Sequence, residues 1–281
     1  MLHHLAELED QGWTVLPGLL SPAVIAGLRN AMDRAVAETA LRFKSEGLIE
    51  DDMPDLEPEE RLVRLYRAVP PRYSHAWRRI LAGPEVFALW QYPPLVAMMR
   101  GCLGDHIYAS RTWNGRPRTP GQTVQSVDWH QDAHYLPGYR EDLDRVLTCW
   151  VPLVPVDRAS GCLEVATGSH RGGLRPSVRL PRNGLVGVAD ADVAHYPVSA
   201  VVMQPGDVLV FNELTYHRSL DNHSQQVRWS LDIRFADARN ADFVTRDSSD
   251  ACAKGYVCHH PEGRTGRYRD WFASYQYDGD F

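Results

Sequence analysis

Ala200-Val201-Val202-Met203-Gln204-Pro205-Gly206-Asp207-Val208-Leu209-Val210-Phe211 sets two runs of β-forming residues either side of a Pro-Gly-Asp turn. Branched and aromatic side chains suit a pleated, half-buried surface, and Pro-Gly-Asp suits a reversal. A β-hairpin over Val201–Phe211 is the expectation. The same texture continues outward. Leu163-Glu164-Val165 is a short strand that ends in Thr167-Gly168-Ser169-His170, and Arg145 to Pro155 reads as a buried strand. Ile107 to Ser110 is a further strand, and Val227 to Phe235 alternates like a half-buried one. Asn114 to Gln122, with two Pro, two Gly and two Arg, reads as a loop, and 113–123 as a lid over a cavity. Many short strands with Gly/Pro turns and few helices between them point to a double-sheet jelly roll rather than a parallel α/β sheet.

The amino-terminal third has a different texture. Leu5 and Leu8 lie at helical spacing before Gly12, and Trp13 to Leu16 is a short strand. Ser21-Pro22 starts a helix whose stripe is Val24, Ile25, Leu28, Met32 and Ala35. Residues 44–61 form an acidic, solvated loop before a helix at 60–69, and 71–101 is helical with breaks at Gly83-Pro84 and Pro93-Pro94. The expected fold class is mainly β with flanking helices around a double-stranded β-helix (jelly roll, cupin-like) core. The chain divides into a helical part (1–105), the jelly roll (106–237) and a tail (238–281) that packs on it, all in one domain.

At 281 residues the chain is long enough for a sizeable core. Its net charge of −6 supplies no basic field for nucleic acid, and no apolar run is long enough to span a membrane. The first ten residues lack a signal peptide's basic start, and five scattered cysteines do not form a disulfide framework. A cytoplasmic protein with reduced thiols and a small-molecule partner is expected.

The chemistry centres on Asp128-Trp129-His130-Gln131-Asp132-Ala133-His134-Tyr135. On an extended strand, His130 and Asp132 point to one face and can grip one metal ion. A second histidine completes the 2-His-1-carboxylate set that suits non-haem Fe(II). His217, after the expected hairpin, is the best candidate; His195 and His170 sit in loop-rich surroundings. His-x-Asp alone is weak in a chain with twelve histidines. Eleven residues after His217 (228 − 217), Arg228 opens a strand on which Arg228, Ser230, Asp232 and Arg234 share one face. That polar face suits a ligand cavity, where Arg228 offers a fork for a carboxylate.

These stretches together resemble the phytanoyl-CoA dioxygenase family of Fe(II)- and 2-oxoglutarate-dependent oxygenases. The similarity runs from about Glu9 to Asp237. It is carried by Gly12 to Ser21, by Trp129-His130-Gln131-Asp132, by Leu147 to Leu153 and by Ser160 to Val165. Its most specific part is His217-x-Ser219-x-x-Asn222-x-Ser224-x-x-x-Arg228. The resemblance implies that His130, Asp132 and His217 bind iron and that Arg228 pairs with the distal carboxylate of 2-oxoglutarate, supported by Ser219. It places Gln131 and Trp150 along the cosubstrate pocket. The family often carries a Lys on an upstream strand that touches 2-oxoglutarate; Arg111 lies in that region here. The implied reaction consumes O2 and 2-oxoglutarate, releases succinate and CO2, and oxidises an unactivated C–H bond, most simply by hydroxylation. The family spans acyl-CoA, amino-acid and specialised-metabolite substrates; the ordinary charge and the aromatic residues near the ligands point to a specialised, biosynthetic small molecule. In related halogenases a small residue stands at the place of Asp132, so the carboxylate favours hydroxylation, desaturation or ring closure. Trp113, His134, Tyr135, Tyr139 and Arg218 flank the ligands and are candidates for the substrate wall. Two other readings stay open: a redox-neutral metal-dependent jelly-roll isomerase or hydrolase, and a non-catalytic binding barrel. Cys252, Cys258, His259 and His260 contain zinc-ligand residue types at a spacing that fits no common zinc site.

Overall fold

Gly12 ends the first helix in a left-handed conformation (φ 83°), and a Cβ there would lie 2.7 Å from Thr215 Oγ1. Only glycine allows the helix end to approach the His217 segment so closely. Gly12 O accepts hydrogen bonds from Asn212 N (2.9 Å) and from Thr215 Oγ1 (2.8 Å). The fold is that of a computed structural model and is described for residues 1–69, 76–121, 126–136, 138–180, 184–240 and 255–273.

The helical part comprises α1 (Leu2–Gln11), then strand β1 (Trp13–Leu16), α2 (Pro22–Ser45), α3 (Pro58–Ala68), α4 (Ala76–Leu81), α5 (Pro84–Trp90) and α6 (Pro93–Leu103). Ser21 Oγ accepts from Val24 N at the start of α2, and Pro22 sits in its first turn. Ile25, Leu28, Met32, Ala35 and Val36 form the buried stripe; Val24 is half-buried. The expected acidic loop begins two residues late, because α2 continues to Ser45. Proline at or near the first positions of α3, α5 and α6 marks each restart.

The strands are β2 (Ile107–Ala109), β3 (Asn114–Arg118), β4 (Val146–Pro152), β5 (Leu163–Ala166), β6 (Val178–Arg179) and β7 (Val186–Gly187). After helix α7 (Asp190–Val193) come β8 (Val198–Val201), β9 (Val208–Asn212), β10 (His217–Ser219), β11 (Arg228–Asp237), β12 (Tyr256–His259) and α8 (Tyr268–Ala273). One seven-stranded sheet runs β1-β9-β4-β11-β2-β12, with β3 also on β11; a second runs β10-β5-β8; β6 pairs β7. These ladders are antiparallel. Mainly antiparallel sheets with flanking helices are the expected class; the two sheets do not close into a barrel.

Alternation along β4 and β11 separates core from cavity. Trp229, Leu231 and Ile233 enter the apolar core, whereas Arg228, Asp232 and Arg234 face a cavity. Cys149 and Val151 are likewise core residues, while Thr148 and Trp150 reach the cavity.

Two expectations are corrected. The Val201–Phe211 segment is not a hairpin: Val201 pairs with Leu163 in one sheet, and Leu209 pairs with Trp150 and Val15 in the other. The Pro-Gly-Asp turn carries the chain between sheets, held by Asp207, whose carboxylate accepts from Gly18 N and Gln204 N at 2.8 Å each. Turn chemistry fixes the reversal but not the partner of each strand; burial does that. The expected loop at 114–118 is strand β3, paired with β11, so this part is no lid. Among the described strands β3 pairs only with β11, and its free edge tolerates Pro117. Gln122 and Thr123, the end of the expected lid, lie outside the described residues.

The tail docks by β12 on β2 and by Trp271, which packs among Phe87, Trp90, Trp113 and Tyr256. Cys258 is buried, and its thiol donates to Ile107 O. Burial pushes that thiol up to about 12. Cys252, Tyr275 and Tyr277 fall outside the described residues. No described helix is long and apolar enough to cross a membrane. Trp271 is only 3% exposed. Trp271→Ala is therefore expected to cost about 3–5 kcal/mol, read from the urea midpoint and slope, if the tail is part of the folded core.

Candidate metal centre and cavity

The segment before His130 reaches β10 through a single antiparallel bridge. His130 N donates to His217 O and His217 N donates to His130 O, both at 3.1 Å. The bridge sets the two imidazoles side by side, with ring centres 4.0 Å apart. His130 Nδ1 lies 2.8 Å from Asp128 O, and His217 Nδ1 lies 2.9 Å from Thr215 O. A carbonyl only accepts, so each Nδ1 carries the hydrogen and each Nε2 presents a lone pair. Asp132 Oδ1 is 3.8 Å from both Nε2 atoms. The three ligand atoms lie within 4.8 Å of one another, on buried side chains.

Strand alternation is not what places Asp132. Gln131 is extended (φ −109°, ψ 134°), but Asp132 begins a 3-10 turn, Asp132–Tyr135. The carboxylate is instead aimed by its donors. Arg234 Nη2 donates to Oδ1 (2.7 Å) and Nε to Oδ2 (3.1 Å), and Thr148 Oγ1 donates to Oδ2 (2.5 Å). Burial pushes the Asp132 carboxyl up, but the Arg234 guanidinium and the two histidines outweigh it and hold it well below the usual range. Burial, then the neighbouring His217, pushes His130 down to about 3, and burial lowers His217. Neutral imidazoles and an ionised carboxylate are the forms that bind a divalent cation.

The group opens on a cavity of about 400 Å³, partly open to solvent. Trp150, Leu163, Phe211 and Val127 form its apolar wall; Ser219, Arg116 and Arg228 bring the polar groups. Arg228 is 1% exposed. Its Nη1 donates to Ser230 Oγ (2.7 Å), and its guanidinium lies 5.5 Å from the Trp150 ring centre. Nε and Nη2 have no hydrogen-bond partner. Burial, then Arg116, lowers this guanidinium to about 10, which leaves it charged at neutral pH. A buried cation with idle donors is costly and suits an anionic guest. The donor set and these orphaned N–H groups fit a divalent metal beside a dicarboxylic acid.

A family model for phytanoyl-CoA dioxygenase (PhyH) matches residues 8–230. The chain belongs to the phytanoyl-CoA dioxygenase family. The resemblance read from its motifs is thereby borne out. The peroxisomal phytanoyl-CoA dioxygenase of Bos taurus is 27% identical over 239 residues, covering 82% of this chain and 66% of that protein. The 1-deoxypentalenic acid 11-beta-hydroxylase of Streptomyces arenae is 28% identical over 226 residues, covering 75% and 76%. The chain thus spans just under two thirds of the bovine relative's length. Among solved structures, the non-heme alpha ketoglutarate dependent carbocyclase SnoK from nogalamycin biosynthesis has a similar fold. Its TM-score is 0.59 at 20% identity, covering 85% of this chain and 84% of SnoK. EvdO2 from Micromonospora carbonacea var. aurantiaca, solved with 2-oxoglutarate, gives 0.52 at 20% identity, covering 83% and 89%.

Within this family frame the other named residues separate clearly. Ser219 and Trp150 line the cavity with Arg228. Ser219 Oγ accepts from Arg118 Nη2 (2.9 Å). Gln131 does not face the cavity: its amide donates to Gly173 O and Leu214 O and accepts from Arg175 N, all at 2.9 Å. It is a strut because its backbone alternates with that of His130. The cation that faces the cavity from upstream is Arg116 of β3; Arg111 is not a lining residue.

Of the substrate candidates, Tyr135 packs against the His130 ring at 5.7 Å and donates to Val186 O. Trp113 is a core residue between Trp90 and Trp271. Arg218 alternates away from His217, pairs with Glu164 at 2.7 Å and lies over the Trp129 ring. His134 bonds Arg175 O, and Tyr139 donates to Glu213. The sequence reading missed Arg116 because Pro117 and Gly115 made β3 look like a loop. Thr148 was readable, since it lies two residues before Trp150 on one strand.

Glu213, behind the Asp132 turn, is 3% exposed. Tyr139 donates to its Oε1, and Oε2 has no hydrogen-bond partner. Burial pushes its carboxyl from 4.5 up to about 7. The folded state therefore holds this proton more tightly than the unfolded chain. Its contribution to stability is complete at acid pH and declines as pH rises from about 4.5 to about 7. Glu213→Gln is expected to gain stability on wild type between pH 5 and pH 8, by up to roughly 3 kcal/mol in urea titrations. An unchanged difference across that range refutes this account.

Proposed function

We propose that this chain is an Fe(II)- and 2-oxoglutarate-dependent dioxygenase that hydroxylates an unactivated C–H bond of a small specialised metabolite, releasing succinate and CO2. The observation that carries the reading is Arg228, a buried guanidinium with two idle donors in the same cavity as His130, Asp132 and His217. A metal-dependent isomerase or a binding barrel requires no buried cation of this kind. The hydroxylase from Streptomyces arenae supports the choice of hydroxylation and of a biosynthetic substrate.

His130 Nε2, His217 Nε2 and Asp132 Oδ1 would hold the iron. Iron with 2-oxoglutarate and O2 supplies the oxidising power that breaks the C–H bond. Arg228 takes the distal carboxylate of 2-oxoglutarate through Nε and Nη2 and, with Ser219 beside it, fixes which end of the acid faces the metal. Trp150 lies alongside the Arg228 guanidinium and, with Leu163 and Phe211, keeps water from the chelated end. Arg116, paired with Asp232, adds a second guanidinium to the cavity lining. Tyr135, whose ring packs against His130, is the remaining candidate for the substrate wall.

Anaerobic Fe(II) with 2-oxoglutarate is expected to give a visible metal-to-ligand charge-transfer band. His217→Ala is expected to lose iron retention and the band together. Arg228→Ala is expected to keep iron but weaken 2-oxoglutarate at least about tenfold, the scale of a lost charge-assisted pair. Iron that binds with no band at saturating 2-oxoglutarate rejects the dioxygenase reading in favour of redox-neutral chemistry.

A further inference from the structure

Asp132 opens a 3-10 turn, so no strand geometry dictates where its carboxylate points. Oδ2 is taken by two donors, Arg234 Nε and Thr148 Oγ1. Oδ1 takes one, Arg234 Nη2, and keeps a lone pair on the side of the two histidines. Arg234 is itself held fast. It is 4% exposed, its Nη1 donates to Thr112 O (2.8 Å), and Asp232 Oδ2 lies 3.4 Å from the same nitrogen. Asp232 is in turn gripped by Arg116 Nε (2.7 Å) and Asn114 Nδ2 (2.9 Å). The guanidinium is thus a fixed two-pronged clamp on a carboxylate that nothing else but Thr148 orients among the described contacts.

We propose that Arg234 is a positioning residue that makes Asp132 a one-oxygen ligand: it turns Oδ1 to the metal and pins Oδ2 away. The inference rests on the metal centre proposed above. A carboxylate bound through both oxygens would occupy an extra coordination position. Held by one, it would leave more of the metal's positions free for the 2-oxo acid and O2. Lysine brings the charge without the rigid planar fork that fixes both oxygens at once. Outer partners of ligands commonly change metal affinity 10–100-fold.

The test is Co(II) binding by the metal-free protein, followed by calorimetry, in a double-mutant cycle with Asp132→Ala. Arg234→Gln and Arg234→Lys are each expected to weaken Co(II) about tenfold or more when Asp132 is present. In the Asp132→Ala background the same changes are expected to alter affinity about twofold or less, because the clamp has nothing left to aim. Urea midpoints report folding separately; the lysine variant serves if the glutamine variant does not fold. Wild-type affinity in Arg234→Lys overturns the proposal, since charge alone would then suffice. An equal loss with and without Asp132 also overturns it, by making Arg234 a support of the fold. If Asp132→Ala alone leaves Co(II) affinity unchanged, the metal centre itself is misread, a result distinct from failure of the clamp.

Discussion

The two reciprocal hydrogen bonds between the backbones of His130 and His217 are the constraint on which the site depends. They join a non-repetitive segment to a three-residue strand and so place two imidazoles 4.0 Å apart without any side-chain adjustment. Everything near them serves to hold that bridge. β10 lies on β5, Gly12 lets the first helix close on Thr215, and Gln131 ties the motif to residues 173–175 and 214. Backbone pairing is stiffer than side-chain packing, so the histidines are preorganised by the sheet.

Around this bridge the protein keeps an unusual amount of charge out of water. Asp132, Arg234 and Asp232 are each less than 5% exposed, and Arg116 extends the alternation towards the cavity. Each carboxylate lies against a guanidinium, which is the arrangement in which buried charge is tolerable. Arg228 departs from it, with one neutral hydroxyl partner and two empty donors. The other charges are compensated by one another, and Arg228 is the one left short; on the proposed function this is where a 2-oxo acid would supply the missing anion.

How much of this was legible in the sequence depended on whether local pattern or distant pairing decided each feature. The amphipathic helix α2 and its Ser21-Pro22 start were legible, because capping and period act within a few residues. The polar face of β11 was legible for the same reason: Arg228, Ser230, Asp232 and Arg234 alternate with Trp229, Leu231 and Ile233. His130, Asp132 and His217 were found by residue type and family likeness, yet the means that brings them together was not. Asp132 is aimed by a guanidinium 102 positions away (234 − 132), and no local rule encodes that. Arg116 is hidden because Gly115 and Pro117 interrupt the strand pattern of β3, which pairs with β11 among the described strands. The Pro-Gly-Asp residues dictate a reversal within Val201–Phe211, but not a hairpin, since strand partners are chosen by the surfaces they cover.

The passage of the chain from sheet to sheet at Pro205-Gly206-Asp207 has a consequence for how the protein is made. Strands adjacent in sequence are rarely adjacent in space: β1 pairs with β9, and β2 with β11. Such pairings close very long loops and fold slowly. His130 and Asp132 leave the ribosome 85 residues or more before His217 (217 − 132), and Arg234 later still. A nascent chain therefore carries a two-ligand fragment with an unclamped carboxylate for several seconds at ordinary synthesis rates. On the proposed metal centre, capture of the ion would await β10, which brings His217, and β11, which brings Arg234, rather than the appearance of the first two ligands.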